Sequence, residues 1–172
     1  SSLENVSDNL YAEERTLKNV LVVVITSDRG LAGAFNSNIV KAATLLVAEK
    51  YPELAEASKV DYLCIGKKGG EAFSKRGSNT NLDYQALFMD LSFDTARAAS
   101  EFVMNAFLDG KYDSVEVVYN EFKNVATQIL RTEQFLPVLP PTKTSVNKVE
   151  VDYIYQPSRE EIVDGLIFAL YP

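Results

Sequence analysis

The run Val20-Leu21-Val22-Val23-Val24-Ile25, followed by Thr26-Ser27-Asp28-Arg29-Gly30-Leu31-Ala32-Gly33-Ala34-Phe35-Asn36, decides the fold. Six consecutive apolar residues, most of them β-branched, show no alternation. The strand they predict is therefore buried on both faces, as a central parallel strand is. The polar, glycine-bearing stretch from Thr26 to Gly33 predicts a turn. Asn36 or Ser37 stands where it can cap the next helix, in which Ile39, Ala43, Leu46 and Val47 recur at helical spacing and Pro52 lies just beyond the end. Val60 to Ile65 predicts a second strand. Strand, helix and strand within about 45 residues is the βαβ pattern, with a parallel sheet and a right-handed crossover.

Further along, Gly66-Lys67-Lys68-Gly69-Gly70 predicts a turn, followed by a short helix over Glu71 to Lys75, and Ser78 to Asn81 a polar loop. Ser92 or Asp94 is placed to cap a helix with Ala98, Phe102, Ala106 and Phe107 inward and Gly110 at its stop. Val115, Val117 and Tyr119 alternate with Glu116 and Val118 as a strand, Val125 to Phe135 is extended, and the three prolines within Pro137 to Thr142 mark a loop. Val149, Val151, Tyr153 and Tyr155 alternate with Glu150, Asp152, Ile154 and Gln156 as a last strand. Ser158 and Glu161 have capping-box spacing before a helix marked by Ile162, Leu166 and Leu170. At the other end, Leu3, Val6 and Leu10 share one face of a predicted helix over Ser1 to Thr16, too short to be stable without a partner. The expected fold is α/β: a Rossmann-like sandwich with a mostly parallel sheet, flanking helices and added strands. The expected division is 1–16 as the end of an N-terminal helix, 17–157 as the α/β domain and 158–172 as the start of a C-terminal helix.

Composition narrows the chemistry. Of 172 residues, 47% are hydrophobic and 24% charged, which is globular usage rather than disorder. The net charge of −7 argues against nucleic acid and anionic lipid, since both require a positive field. With no histidine, the Ser-His-Asp triad, the Cys-His dyad and imidazole zinc sites are excluded. A single cysteine, Cys64, excludes an intrachain disulfide and reads as a small buried hydrophobe. Without an apolar run approaching ~18 residues or a signal-peptide pattern, the chain is expected to be soluble and intracellular.

The Thr26–Gly33 turn joins a strand to a helix, a place where α/β folds bind phosphate. Its glycines, Gly30 and Gly33, are spaced G-x-x-G rather than G-x-G-x-x-G, no Gly-Lys-Ser/Thr follows, and Asp28 repels an anion. The plainer expectation is a structural turn over Ser27, Asp28, Arg29, Gly30 and Gly33, with Asp28 and Arg29 bonding locally and the glycines supplying positive φ. A small nucleotide- or phosphate-binding protein using this turn is the alternative. A hydrolase on Ser27 and Asp28 would need Lys67 or Lys68 as base, and nothing in the spacing places either there. Lys67, Lys68, Lys75 and Arg76 form a local basic cluster, read as a solvated loop or a contact for an acidic surface. Asp90 and Asp94 could pair as carboxylates, but helix-start capping explains Asp94 better. Tyr153 and Tyr155 share a face and suit either core or interface.

At Ser27-Asp28-Arg29-Gly30-Leu31-Ala32-Gly33 the chain resembles the γ subunit of F-type ATP synthase, and Phe35-Asn36-Ser37-Asn38, Asp152-Tyr153-Ile154-Tyr155-Gln156-Pro157 and Val118-Tyr119-Asn120-Glu121-Phe122 match in the same order. The resemblance implies a rotor subunit with no catalytic residue, metal or cofactor of its own. Its partners would be the epsilon subunit, the c-ring and, through terminal helices, the catalytic head of three α and three β subunits. Tyr153, Tyr155 and Gln156 match the segment that meets epsilon and the c-ring, although an acidic residue is common at the position of Gln156. Ala32 stands where family members often carry cysteine, and one cysteine cannot form the inserted pair of the thiol-regulated chloroplast type. The resemblance also implies the foot of the rotor without most of its shaft, peripheral to the cytoplasmic face of a bacterial inner membrane or its organellar equivalent.

Overall fold

The computed structural model describes residues 10–29, 34–124, 126–140 and 157–171. Strands β1 (Val20–Ile25), β2 (Val60–Ile65), β3 (Asn79–Asn81), β4 (Ser114–Asn124) and β5 (Thr127–Leu136) form one sheet in the order β3-β2-β1-β4-β5. All pairings are parallel except the β4–β5 hairpin, which is antiparallel. The helices are α1 (Phe35–Lys50), α2 (Pro52–Glu56), α3 (Lys67–Lys75), α4 (Phe93–Leu108) and α5 (Arg159–Leu170), with a 3-10 turn at Leu87–Asp90.

Every side chain of β1 is buried. Val20, Val22 and Val24 face α1 and α3, where they meet Ile39, Ala43, Val47 and Phe73. Leu21, Val23 and Ile25 face α4 and α5, where they meet Val103, Phe107, Ile162 and Leu166. Each such side chain is worth about 1.5–3 kcal/mol on burial, so the uninterrupted apolar run holds both helical layers to one strand. This is the α/β sandwich the run predicts.

Several local expectations change. Helix α1 begins at Ala34 as N-cap with no side-chain cap, because Asn36 is bonded back to the turn before it. Pro52 opens the short α2. Helix α3 starts at Lys67, so Gly69 and Gly70 are helical and buried rather than part of a turn. Residues 79–81 are an edge strand, not a loop. On α4 the cap is Ser92, in a capping box with Thr95, and the inner face carries Ala96, Ala99, Ser100, Val103 and Phe107; Ala98 is exposed and Phe102 only partly buried. Ser158 does cap α5, its Oγ accepting the Glu161 N–H at 3.1 Å. Near the start, only Leu10 is helical among residues 10–17, Tyr11 and Ala12 form a turn, and 13–17 carry no regular structure. The predicted strand through Tyr153 and Tyr155 lies outside the described residues.

Two glycines separate backbone strain from collision. Gly66 has φ +99°, and a Cβ there would stand 1.9 Å from the Thr26 carbonyl oxygen. Gly77 has φ +71° with nothing within 4 Å of the equivalent point. Gly77→Ala is expected to cost about 1–2 kcal/mol from φ alone, and Gly66→Ala at least about 3 kcal/mol because two backbones must also part. Denaturant melts of the two variants check this, and equal costs would contradict the close approach.

Candidate functional site

The sheet order reverses between β1 and β4, and α/β folds bind ligands in the crevice at the carboxyl ends of such strands. Here that crevice is a cavity of about 500 Å³, walled by Ile25, Phe35, Phe88, Leu91, Phe122 and Leu170, with Ser27, Asp28 and Asn36 on its rim. Its walls are largely apolar.

The rim includes the described part of the β1–α1 turn, where Ser27 and Asn36 bond to each other. Ser27 N–H donates to Asn36 Oδ1 at 3.0 Å, Asn36 Nδ2 donates to Ser27 Oγ at 2.7 Å, and Ser27 Oγ donates to the Arg29 carbonyl at 2.6 Å. The Ser27 hydroxyl proton is thus committed to a carbonyl, and no basic side chain among the described residues contacts it. Asp28 does not bond locally as expected. Its Oδ1 accepts the Lys67 N–H at 2.9 Å, across the sheet. The Ser27 carbonyl accepts the Lys68 N–H at 3.1 Å, and Thr26 Oγ1 accepts the Gly69 N–H at 2.7 Å.

Three of the N–H groups that a helix leaves unsatisfied at its start are therefore filled by residues 26–28. Those are the donors a phosphate would need at α3, and a carboxylate occupies the place of the anion. Gly69 permits this approach, since a Cβ there would lie 3.0 Å from Thr26 Oγ1. Gly30 and Gly33, the other glycines of the turn, lie outside the described residues, as do Tyr153, Tyr155 and Gln156.

The remaining candidates resolve into structural roles. Lys68 pairs with Glu71 at 3.6 Å, and Arg76 donates to Thr44 Oγ1 at 2.7 Å while lying over the Phe73 ring. Lys75 sits in the last turn of α3, where a cation suits the helix dipole. Asp94 lies in the first turn of α4, and the Asp90 carbonyl accepts from Thr95 Oγ1 at 2.9 Å. Among the described residues no cluster of carboxylates and cysteine could hold a metal ion, and no helix is long and apolar enough to cross a membrane.

Sequence reasoning missed two polar groupings. Glu116, placed on an alternating face of β4, is buried, with Lys50 Nζ at 3.0 Å and the Tyr51 hydroxyl at 2.9 Å. A lone carboxylate inside an apolar run was the available signal. The second grouping surrounds the root of α5. Arg159 donates to Glu101 at 3.1 Å and to the Tyr11 hydroxyl, and Arg97 forks onto Glu160 at 2.7 and 2.8 Å. No short motif carries it, because its members are spread from residue 11 to residue 160.

The fold is an α/β sandwich with a largely apolar crevice where β1 and β4 end, its rim braced by the Ser27–Asn36 hydrogen bonds. Residues 1–170 match the family model described as ATP synthase. The ATP synthase gamma chain of Cytophaga hutchinsonii is 66% identical over 169 residues, covering 97% of this chain and 57% of that protein. That of Chlorobium phaeobacteroides is 46% identical over 160 residues, covering 92% and 54%. This chain belongs to the ATP synthase gamma-chain family, and it spans a little over half the length of these relatives. The central stalk and c-ring structure of the Tetrahymena thermophila mitochondrial ATP synthase contains a chain of the same fold, with TM-score 0.58 and 22% identity, covering 99% of this chain and 78% of that one.

Burial also sets a pH dependence. Cys64 is fully buried, which pushes its thiol up to about 12 from 9.0. Burial likewise raises Tyr51, Tyr62 and Tyr119 above 10.0, and burial with the Asp61 hydrogen bond raises Tyr112. Above pH 9 the unfolded thiol loses its proton while the folded one keeps it, so stability falls as pH rises. Thermal melts from pH 8 to 11 are expected to decline from about pH 9, and those of Cys64→Ala only from about pH 10, where the tyrosines begin. Coincident curves would contradict this.

Proposed function

We propose that this chain is the α/β foot of the rotor subunit of an F-type ATP synthase. It carries torque between the c-ring and the catalytic head of α and β subunits, and has no catalytic site of its own. Identity of 66% to a gamma chain, sustained over 97% of this chain, is the observation that carries the reading.

In this reading residues 1–16 and 158–172 are where two shaft helices leave the domain formed by 17–157. Tyr153, Tyr155 and Gln156 contact the epsilon subunit and the c-ring, with Gln156 contributing hydrogen bonds in place of charge. The domain is peripheral, held at the cytoplasmic face of a bacterial inner membrane through its complex.

The test is a transplant. These 172 residues replace the matching span of the 66%-identical gamma chain within its own ATP synthase. The chimera is expected to retain ATP-driven proton pumping, whereas residues 1–172 mixed alone with α and β subunits leave hydrolysis uncoupled. A chimera that assembles but does not pump contradicts the reading. The crevice keeps the phosphate alternative measurable. ATP, ADP and phosphate are expected to leave the melting temperature unchanged, and a rise following ligand concentration by mass action would favour the alternative.

A further inference from the structure

Torque can pass between the α/β domain and its two chain ends only where those ends are held, and the covalent links are soft. Residues 13–17 have no regular structure, nor do Pro157 and Ser158. Single-bond rotations in such stretches yield to twist. The stiffness of the joint must then come from side chains that bridge the links.

Three segments meet at one such bridge. The incoming segment is pinned by Tyr11, which is fully buried and whose carbonyl accepts the Val138 N–H at 2.8 Å. It is pinned again by Arg15, whose guanidinium lies 4.0 Å from the centre of the Phe107 ring on α4. A third pin is Asp113 Oδ2, which accepts from the N–H groups of Lys18 at 2.9 Å and Asn19 at 3.1 Å. The outgoing helix α5 is fastened at its root. Arg159 reaches Tyr11 with one amino group and Glu101 with the other, so one side chain joins the incoming segment, α5 and α4. Beside it Arg97 of α4 binds both oxygens of Glu160 and also Glu101 at 3.2 Å.

These ion pairs add little to stability one by one. Arg97, Glu101, Glu160 and Arg159 are 28%, 35%, 62% and 29% exposed, and exposed pairs contribute about 0–1 kcal/mol. Apolar packing of Ala99 and Val103 on Ile162 and Val163 already holds α5 to α4. Such packing resists separation but permits sliding. A two-pronged arginine–carboxylate pair has a fixed plane and direction, and resists the slide that twist would produce.

We infer that Arg159, with Arg97, Glu101, Glu160 and Tyr11, forms the torsional joint that locks both chain ends to α4. This rests on the rotor reading above. Arg97 and Arg159 are positioning residues: they touch no substrate and act by fixing the angle between α5 and the sheet.

The experiment uses the assembled ATP synthase with its full-length gamma chain carrying this span. A bead is attached to the α/β domain, and the spread of its angle is recorded while the head is stalled. Arg97→Gln with Arg159→Gln is expected to widen the angular variance roughly twofold, since local stiffness falls where the holding contacts are removed. Lys41→Gln, an exposed cation on α1, leaves it unchanged. The melting temperature of the double variant stays close to that of the parent. An unchanged variance, in enzyme whose bead rotates with ATP before the head is stalled, overturns the joint and leaves the rotor reading intact. A wild-type bead that never rotates overturns both. A melting temperature lower by more than about 10 °C makes the network a stability element and overturns its role as a joint.

Discussion

Burial of β1 on both faces is the constraint on which the rest depends. With Val20, Val22 and Val24 on one side and Leu21, Val23 and Ile25 on the other, the strand offers no polar face, so helices must cover the sheet twice. Two helical layers on a parallel sheet force the chain to cross between them, and the crossing leaves a crevice where β1 and β4 end. The residues that follow β1 must then satisfy backbone groups in a tight space. Thr26, Ser27 and Asp28 do so by filling the start of α3. This interlock ties the end of β1 to the start of α3 and takes up that helix's first N–H groups.

How much of this was legible depended on how far apart the interacting residues are. The apolar runs of β1 and β2, the periodicity of α1 and the caps at Ser92 and Ser158 are local signals, and each predicted its element. Gly69 and Gly70 misled because glycine suggests a turn. Here they are small so that α3 can approach its neighbours: a Cβ on Gly70 would stand 2.1 Å from Gln85 Oε1. Asn36 misled because a residue suited to capping was spent on Ser27 instead. The strand Asn79–Asn81 has no apolar pattern and is paired only because the edge of β2 is there to receive it. Asp28, Glu116 and Arg159 bond to residues 39, 66 and 58 or more positions away, which no window along the sequence contains.

The distribution of chemistry in the molecule follows the same logic. The end of the sheet where a catalyst would keep its reactive groups is walled by Ile25, Phe35 and Phe122. Among the described residues, ion pairs stand around Arg15, Asp113, Glu101 and Arg159, and others join Lys50 to Glu116, Lys68 to Glu71 and Arg131 to Glu121.

The rotor assignment is tested most directly by mass spectrometry of the native gene product after detergent-free membrane extraction, with its co-purifying proteins recorded. Recovery bound to an ATPase head is the expected result. Recovery as a free protein with no ATPase partner would contradict the assignment, leaving a shared fold without a shared role.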